Sequence, residues 1–98
     1  MFGFDGSIKA IVHFLEQIKD NKEGEKLTHR EVRAYGRLML ALVPDLSVDR
    51  PEEIKLLLAA MSTSGLPHYD RSFAAGQILK LLEKQEERRG NSSDADYF

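Results

Sequence analysis

The chain has 98 residues, no cysteine and a formal net charge of −2 at pH 7. This length fits a single domain with one modest core, and the absence of cysteine excludes disulfides and thiolate chemistry. The composition, 42% apolar and 31% charged, is typical of a folded domain, and the small net charge gives no overall field that would attract nucleic acid.

Apolar residues recur at spacings of three and four, which predicts helices, and no segment shows the alternation of a strand. The sequence therefore predicts an all-α fold, a compact bundle of four helices. Their approximate ranges are 5–21, 28–43, 51–63 and 71–89. We expect residues 1–90 to form the helical domain and residues 91–98 to form a flexible acidic C-terminal tail.

The first two helices have recognisable starts. Asp5 or Ser7 is expected to be the N-cap of helix 1. Thr28 and Glu31 have the spacing of a capping box, in which each side chain pairs with the backbone N–H of the other. The segment GRLMLALV in helix 2 is apolar nearly all round, which predicts that helix 2 is the central, most enclosed helix and absorbs Leu38 and Leu40.

The segment STSGLPHYDRSF, residues 62–73, contains the end of helix 3, the connector and the start of helix 4. Pro51 suits the first turn of helix 3, and Gly65 is placed where a helix ends in a left-handed residue. Asp70 is expected to be the N-cap of helix 4, and Gly90 is expected to end it. The connector resembles an active-site loop in composition, but every special residue except His68, Tyr69 and Arg71 has a structural explanation.

No catalytic, cofactor-binding or metal-binding residue is predicted. Ser64, His68 and Asp70 are generic turn residues, and their closeness in sequence gives no catalytic geometry. The three histidines, on three different elements, lack the local pairing of zinc ligands. The sequence contains no glycine-rich phosphate loop, metalloprotease motif or calcium loop. We therefore expect no enzyme, no cofactor and no small-molecule substrate.

One charged constellation stands out on helix 2. Arg30, Arg33 and Arg37 are spaced three and four apart and share a face, and Lys26 just precedes them. We call the three arginines the arginine row. Arginine suits bidentate contacts with carboxylate or phosphate. The alternative is a solvated face paired with acidic residues of helix 1 and its loop. These acidic residues are Glu16, Asp20, Glu23 and Glu25.

Several apolar residues are surplus to the predicted core. Leu56 and Leu79 lie off the apolar faces of helices 3 and 4, and Phe2 and Phe4 precede helix 1. A contiguous exposed apolar patch marks an interaction surface. We expect these four residues, with Lys26 and the arginine row, to bind a partner.

These features favour a small non-enzymatic protein-interaction module, an adaptor, inhibitor or regulatory subunit that binds another protein or itself. The alternative is a nucleic-acid-binding or nucleoprotein-associated module that uses the basic residues of helix 2 on phosphates. No apolar run approaches the length needed to cross a bilayer, and no cleavable signal is recognisable, so we expect a cytoplasmic protein without membrane contact.

Overall fold

The computed structural model describes the backbone of residues 6–95 and the side chains of residues 8–88. Four α-helices follow one another in this part: α1 (Gly6–Lys19), α2 (His29–Leu42), α3 (Pro51–Met61) and α4 (His68–Ala95). A single 3-10 turn, Val43–Asp45, follows α2. The predicted all-α bundle of four helices is confirmed. No helix among the described residues is long and apolar enough to cross a membrane.

The start of α2 is the capping box that the sequence predicts. The Thr28 hydroxyl accepts the backbone N–H of Glu31 at 3.1 Å, and the Glu31 carboxylate accepts the backbone N–H of Thr28 at 2.9 Å. Both bonds satisfy donors that the helix itself leaves free. α3 likewise begins at Pro51, as predicted.

A buried asparagine organises the loop between α1 and α2. The Asn21 side-chain oxygen accepts the N–H groups of Lys26 and Leu27, each at 2.9 Å, and its amide donates to the Leu27 carbonyl at 3.0 Å. Gly24 turns the chain with a φ of 72°, a left-handed conformation that favours glycine. The loop therefore folds back onto itself and leads into Thr28 in a fixed direction.

The ends of α4 differ from the prediction. Asp70 is not the N-cap, because α4 already begins at His68 and the Pro67 carbonyl accepts the Arg71 N–H at 3.2 Å. Gly90 does not end the helix, which continues to Ala95. A glycine inside a helix costs about 1 kcal/mol relative to alanine and does not prevent helix formation. Of the predicted tail, 91–95 is helical, and 96–98 lies outside the described residues.

The central helix is α4, and the prediction that helix 2 is central is wrong. α4 packs against both α1 and α3, whereas α2 packs mainly against α3. The small residues Ala74 and Ala75 are buried in α4 and allow its neighbours to approach. Leu38, predicted to be absorbed into the core, has 61% of its surface exposed, and Leu40 is half-buried. One side of α2 therefore faces solvent.

Candidate functional site

The arginine row lies on the solvent side of α2. Arg30 and Arg37 are exposed and Arg33 is half-buried. None of the three takes part in an ion pair with a described residue. The ion pairs in that part of the chain are Arg50–Glu53, Lys55–Glu52 and Arg88–Asp49. The acidic residues that the sequence offers as partners for the row are therefore not used, and its charges remain available.

Lys26 lies apart from the arginine row. It lines a separate surface depression together with Glu16 and Asp20 of the first helix and its end. Carboxylates beside a lysine reduce its contribution to a positive surface potential. Lys26 and Arg33 of the arginine row therefore line different depressions of the surface.

An apolar row runs beside the arginines. Leu38 and Leu42 are one turn apart and are 61% and 39% exposed. Ala34 and Ala41, at neighbouring helical positions, are also exposed. We call this row and the arginine row together the α2 outer face. Sequence reasoning missed the apolar row because it assigned Leu38 to the core.

Contacts on the opposite side of α2 fix the orientation of this face. A Cβ at Gly36 would lie 2.0 Å from the Ser62 Oγ, so α2 approaches the end of α3 at a position where only glycine fits. Towards α1, the ring of Tyr35 of α2 stacks on the ring of Phe14 of α1, with the ring centroids 4.9 Å apart. These two contacts hold the helix so that the α2 outer face points away from the bundle.

A positively charged depression of about 290 Å³ adjoins the N-terminal end of the arginine row. Its charged and ionisable lining residues are His29, Arg33 and Arg71, and the remainder is the Gly65–Leu66–Pro67 turn. No acidic residue in the described part of the chain lines it. The arginine row therefore begins in a region where anionic groups are favoured.

Arg71 is a structural cation, for which the sequence offered no explanation. Only 1% of its surface is exposed, and it donates hydrogen bonds to the carbonyls of Met61 at 2.8 Å, Thr63 at 3.0 Å and Leu66 at 3.2 Å. These carbonyls lie at the last residue of α3 and just beyond it, where the helix dipole favours a positive charge. Burial lowers the pKa of Arg71, and the nearby charge of Arg33 lowers it further.

Two histidines pack face to face beside this arginine. The ring centroids of His29 and His68 are 3.6 Å apart, and the ring planes differ by 18°. The His68 Nδ1 also lies 3.4 Å from the Asn21 side-chain nitrogen. Burial lowers the pKa of His68, and the positive charges of His29 and Arg71 act in the same direction. His68 therefore links the first loop to α2 and is predominantly neutral at pH 7.

The histidines do not gather into a metal site in the described part of the chain, where no group of three or more His, Cys, Asp or Glu residues is placed to hold a metal ion. His13 lies on α1 and is exposed. Ser64, His68 and Asp70 share no hydrogen bond with one another among the described residues.

The remaining predicted contact residues lie in different places. Leu56 projects from α3 and is 72% exposed. Leu79 is half-buried and packs against the core. Phe2 and Phe4 lie outside the described residues. Of the predicted contact leucines, Leu56 is thus the more accessible.

Comparison of the chain with protein-family models, with curated proteins and with solved structures finds no match.

Proposed function

We propose that this chain is a non-enzymatic protein-interaction module whose α2 outer face binds an acidic amphipathic helix of a partner protein. The observation that supports this most strongly is the exposed apolar row lying directly beside an arginine row that has no ion-pair partner among the described residues. The absence of cysteine is compatible with the reducing cytoplasm as its compartment.

The apolar row contributes binding free energy that does not depend on charge. Burying a leucine side chain fully is worth about 1.5–3 kcal/mol, and Leu38 and Leu42 are one turn apart. An apolar helix face that docks in this way presents its own residues at spacings of three and four. The α2 outer face is therefore matched to a helical segment with an apolar row of similar length.

The arginine row selects the charge of that segment. Glu31 is the only acidic residue in α2, and its carboxylate is engaged in the capping box. A symmetric pairing of two copies through this face would bring two arginine rows together, which is unfavourable. Acidic residues flanking the partner's apolar row would instead neutralise the arginines and form bidentate contacts with them.

Nucleic acid is the less well-supported partner for this face. Lys26 does not join the arginines, so at most three cations would meet phosphates. The exposed leucines would have no complementary group on a phosphate backbone. An acidic amphipathic helix of a protein would contact both the apolar row and the arginine row.

The test is a binding comparison with three designed helical peptides. All three carry the same leucine row, flanked by Glu in the first, Gln in the second and Lys in the third. Affinity is measured by fluorescence anisotropy against the full chain at low and near-physiological salt. We expect the affinity order Glu, Gln, Lys, with the preference for Glu reduced as salt increases.

Matched variants locate the binding. Leu38→Ser/Leu42→Ser should weaken binding of all three peptides, whereas Leu56→Ser, which changes a more exposed leucine on α3, should not. Arg30→Ala/Arg33→Ala/Arg37→Ala should abolish the preference for the Glu peptide. Lys9→Ala/Lys84→Ala is the control for loss of positive charge elsewhere on the surface. Equal affinity of the unmodified chain for the Glu and Lys peptides would refute the proposal.

A further inference from the structure

A second surface, which shares no residue with the α2 outer face, combines aromatic rings with lysines. It is a groove of about 190 Å³ between the end of α1 and the first half of α4. We call it the α1–α4 groove and define it by Lys19, Lys22, Tyr69, Phe73, Gly76 and Lys80. The wall between the two helices is held by the Ser72 hydroxyl, which donates to the Lys19 carbonyl.

The groove presents two largely exposed aromatic rings. Tyr69 and Phe73 are 61% and 65% exposed and lie one turn apart on α4, a spacing of about 5–6 Å between Cβ atoms. Neither ring stacks on another described aromatic side chain. Exposed aromatic rings in a row leave flat π faces open to a ligand.

Among the described residues, the charged side chains that line the groove are all positive. Lys19, Lys22 and Lys80 contribute three ammonium groups, and no described acidic residue lines it. None of the three lysines forms an ion pair with a described residue. The groove therefore favours an anionic ligand although the protein as a whole is slightly acidic.

Gly76 is a glycine that packing against the described residues does not require. A Cβ at this position would meet no described atom within 4 Å, in contrast to Gly36, whose Cβ would clash with Ser62. A glycine inside a helix costs about 1 kcal/mol relative to alanine. Gly76 lies on the same side of α4 as Phe73 and Lys80, so the missing side chain keeps the floor of the groove open.

We propose that the α1–α4 groove binds single-stranded nucleic acid. Bases stack on Tyr69 and Phe73, the lysines contact phosphates, and the open floor at Gly76 lets the strand approach the helix closely. Stacked rings in a positively charged groove are the common means of binding single strands without sequence preference. Duplex bases are already stacked on one another, so a duplex would meet only the lysines.

The surroundings limit the length of the strand. Tyr69 and Lys80 are eleven positions apart, about 16 Å along a helix. Beyond Lys80, the next depression is lined by Glu16, Glu83 and Glu86 as well as Lys19. These carboxylates repel phosphates, so the site fits a few nucleotides that leave the groove towards Tyr69 and Lys22.

The first experiment is a fluorescence anisotropy titration of the full chain with a labelled oligothymidylate ten nucleotides long. Three phosphate contacts predict that affinity decreases about 20-fold between 50 and 200 mM salt. A duplex of the same length should bind more weakly at each salt concentration. Polyglutamate of similar charge is the competitor that separates base stacking from simple attraction to an anion.

Variants of the groove provide the decisive comparison. Tyr69→Ala and Phe73→Ala should each weaken oligothymidylate binding by at least about fivefold, because these side chains are exposed and their loss leaves the core intact. Gly76→Leu should also weaken binding while the thermal midpoint stays the same or rises. Circular dichroism verifies the fold of each variant.

Three outcomes would overturn the inference. These are no binding at 50 mM salt, equal binding of polyglutamate and oligothymidylate, or binding that the Arg30/Arg33/Arg37 triple alanine variant removes while Tyr69→Ala and Phe73→Ala retain it. The groove variants should leave the preference for the acidic peptide unchanged, because that preference depends on α2. Failure of this inference is thus distinguishable from failure of the proposed function.

Discussion

Replacing Arg71 with methionine tests how the end of α3 is held. Arg71 is almost completely buried, and its guanidinium donates to three backbone carbonyls near the C-terminal end of that helix. Methionine has a similar length and is apolar, so the substitution retains most of the packing and removes every donor.

The size of the effect depends on which carbonyls water can reach. The hydrogen bond to Met61 is buried, and leaving a buried carbonyl without a donor costs about 1–3 kcal/mol. The bonds to Thr63 and Leu66 are only partly buried, so water replaces much of what is lost there. Removing a buried cation that has no carboxylate partner among the described residues offsets part of the cost. We expect Arg71→Met to lower the free energy of unfolding by about 2 kcal/mol, the middle of the range for one unsatisfied buried carbonyl.

The assay is urea unfolding followed by circular dichroism, with two comparison variants. Arg71→Lys retains the charge but lacks the planar fork that reaches three acceptors, so it should remain destabilised. Arg88→Met breaks an exposed ion pair and should cost at most about 1 kcal/mol. If Arg71→Met were as stable as the unmodified chain, the three hydrogen bonds would not hold the end of α3.

Three further predictions test the close contacts at Gly24 and Gly36 and the titration of His68. Gly24→Ala should destabilise the fold more than Gly65→Ala in urea unfolding. Both glycines have a positive φ, but a Cβ at Gly24 would lie 2.4 Å from the His68 ring, whereas a Cβ at Gly65 would meet no described atom within 4 Å. Equal losses of stability in the two variants would show that the His68 ring moves away freely. Gly36→Ala should lower the thermal midpoint despite the better helix propensity of alanine. Adding Ser62→Ala to this variant should recover part of the loss. Purely additive effects of the two substitutions would contradict the close approach of α2 to α3. The lowered pKa of His68 means that the unfolded chain binds its proton more readily, so stability should be complete above the ordinary histidine pKa of about 6.5 and decrease as pH falls below it. His68→Gln should reduce this acid-side loss, and an unchanged pH profile would argue against the role of His68.

Local features of this fold are predictable from sequence because their physical causes are local. The Thr28–Glu31 capping box needs only the correct residues three apart. Gly65 adopts the expected positive φ of 83°, and Pro51 begins α3. The spacing of apolar residues predicts all four helices for the same reason, because the apolar face of a helix can be recognised in that helix's own sequence.

The packing of the helices against one another was not predictable from local sequence in the same way. The apolar segment around Leu38 indicates that α2 has surplus leucines, but not whether another helix covers them. The answer depends on α4, which is long and has small buried alanines, and therefore occupies the centre. The joint position of Arg71, His68 and His29 likewise depends on how the connector folds back. The one sign of these contacts in the sequence is that His68, Tyr69 and Arg71 of the connector have no local structural explanation.

The most direct test of the proposed function is to map where an acidic helix binds. An NMR titration of the ¹⁵N-labelled full chain with the Glu-flanked peptide reports on each backbone amide separately. We expect shift changes concentrated in residues 30–42, including Leu38 and Leu42, with little change at Phe73 and Lys80 in the α1–α4 groove. Changes of equal size throughout the bundle, or changes confined to other helices, would contradict the claim that the α2 outer face is the binding surface.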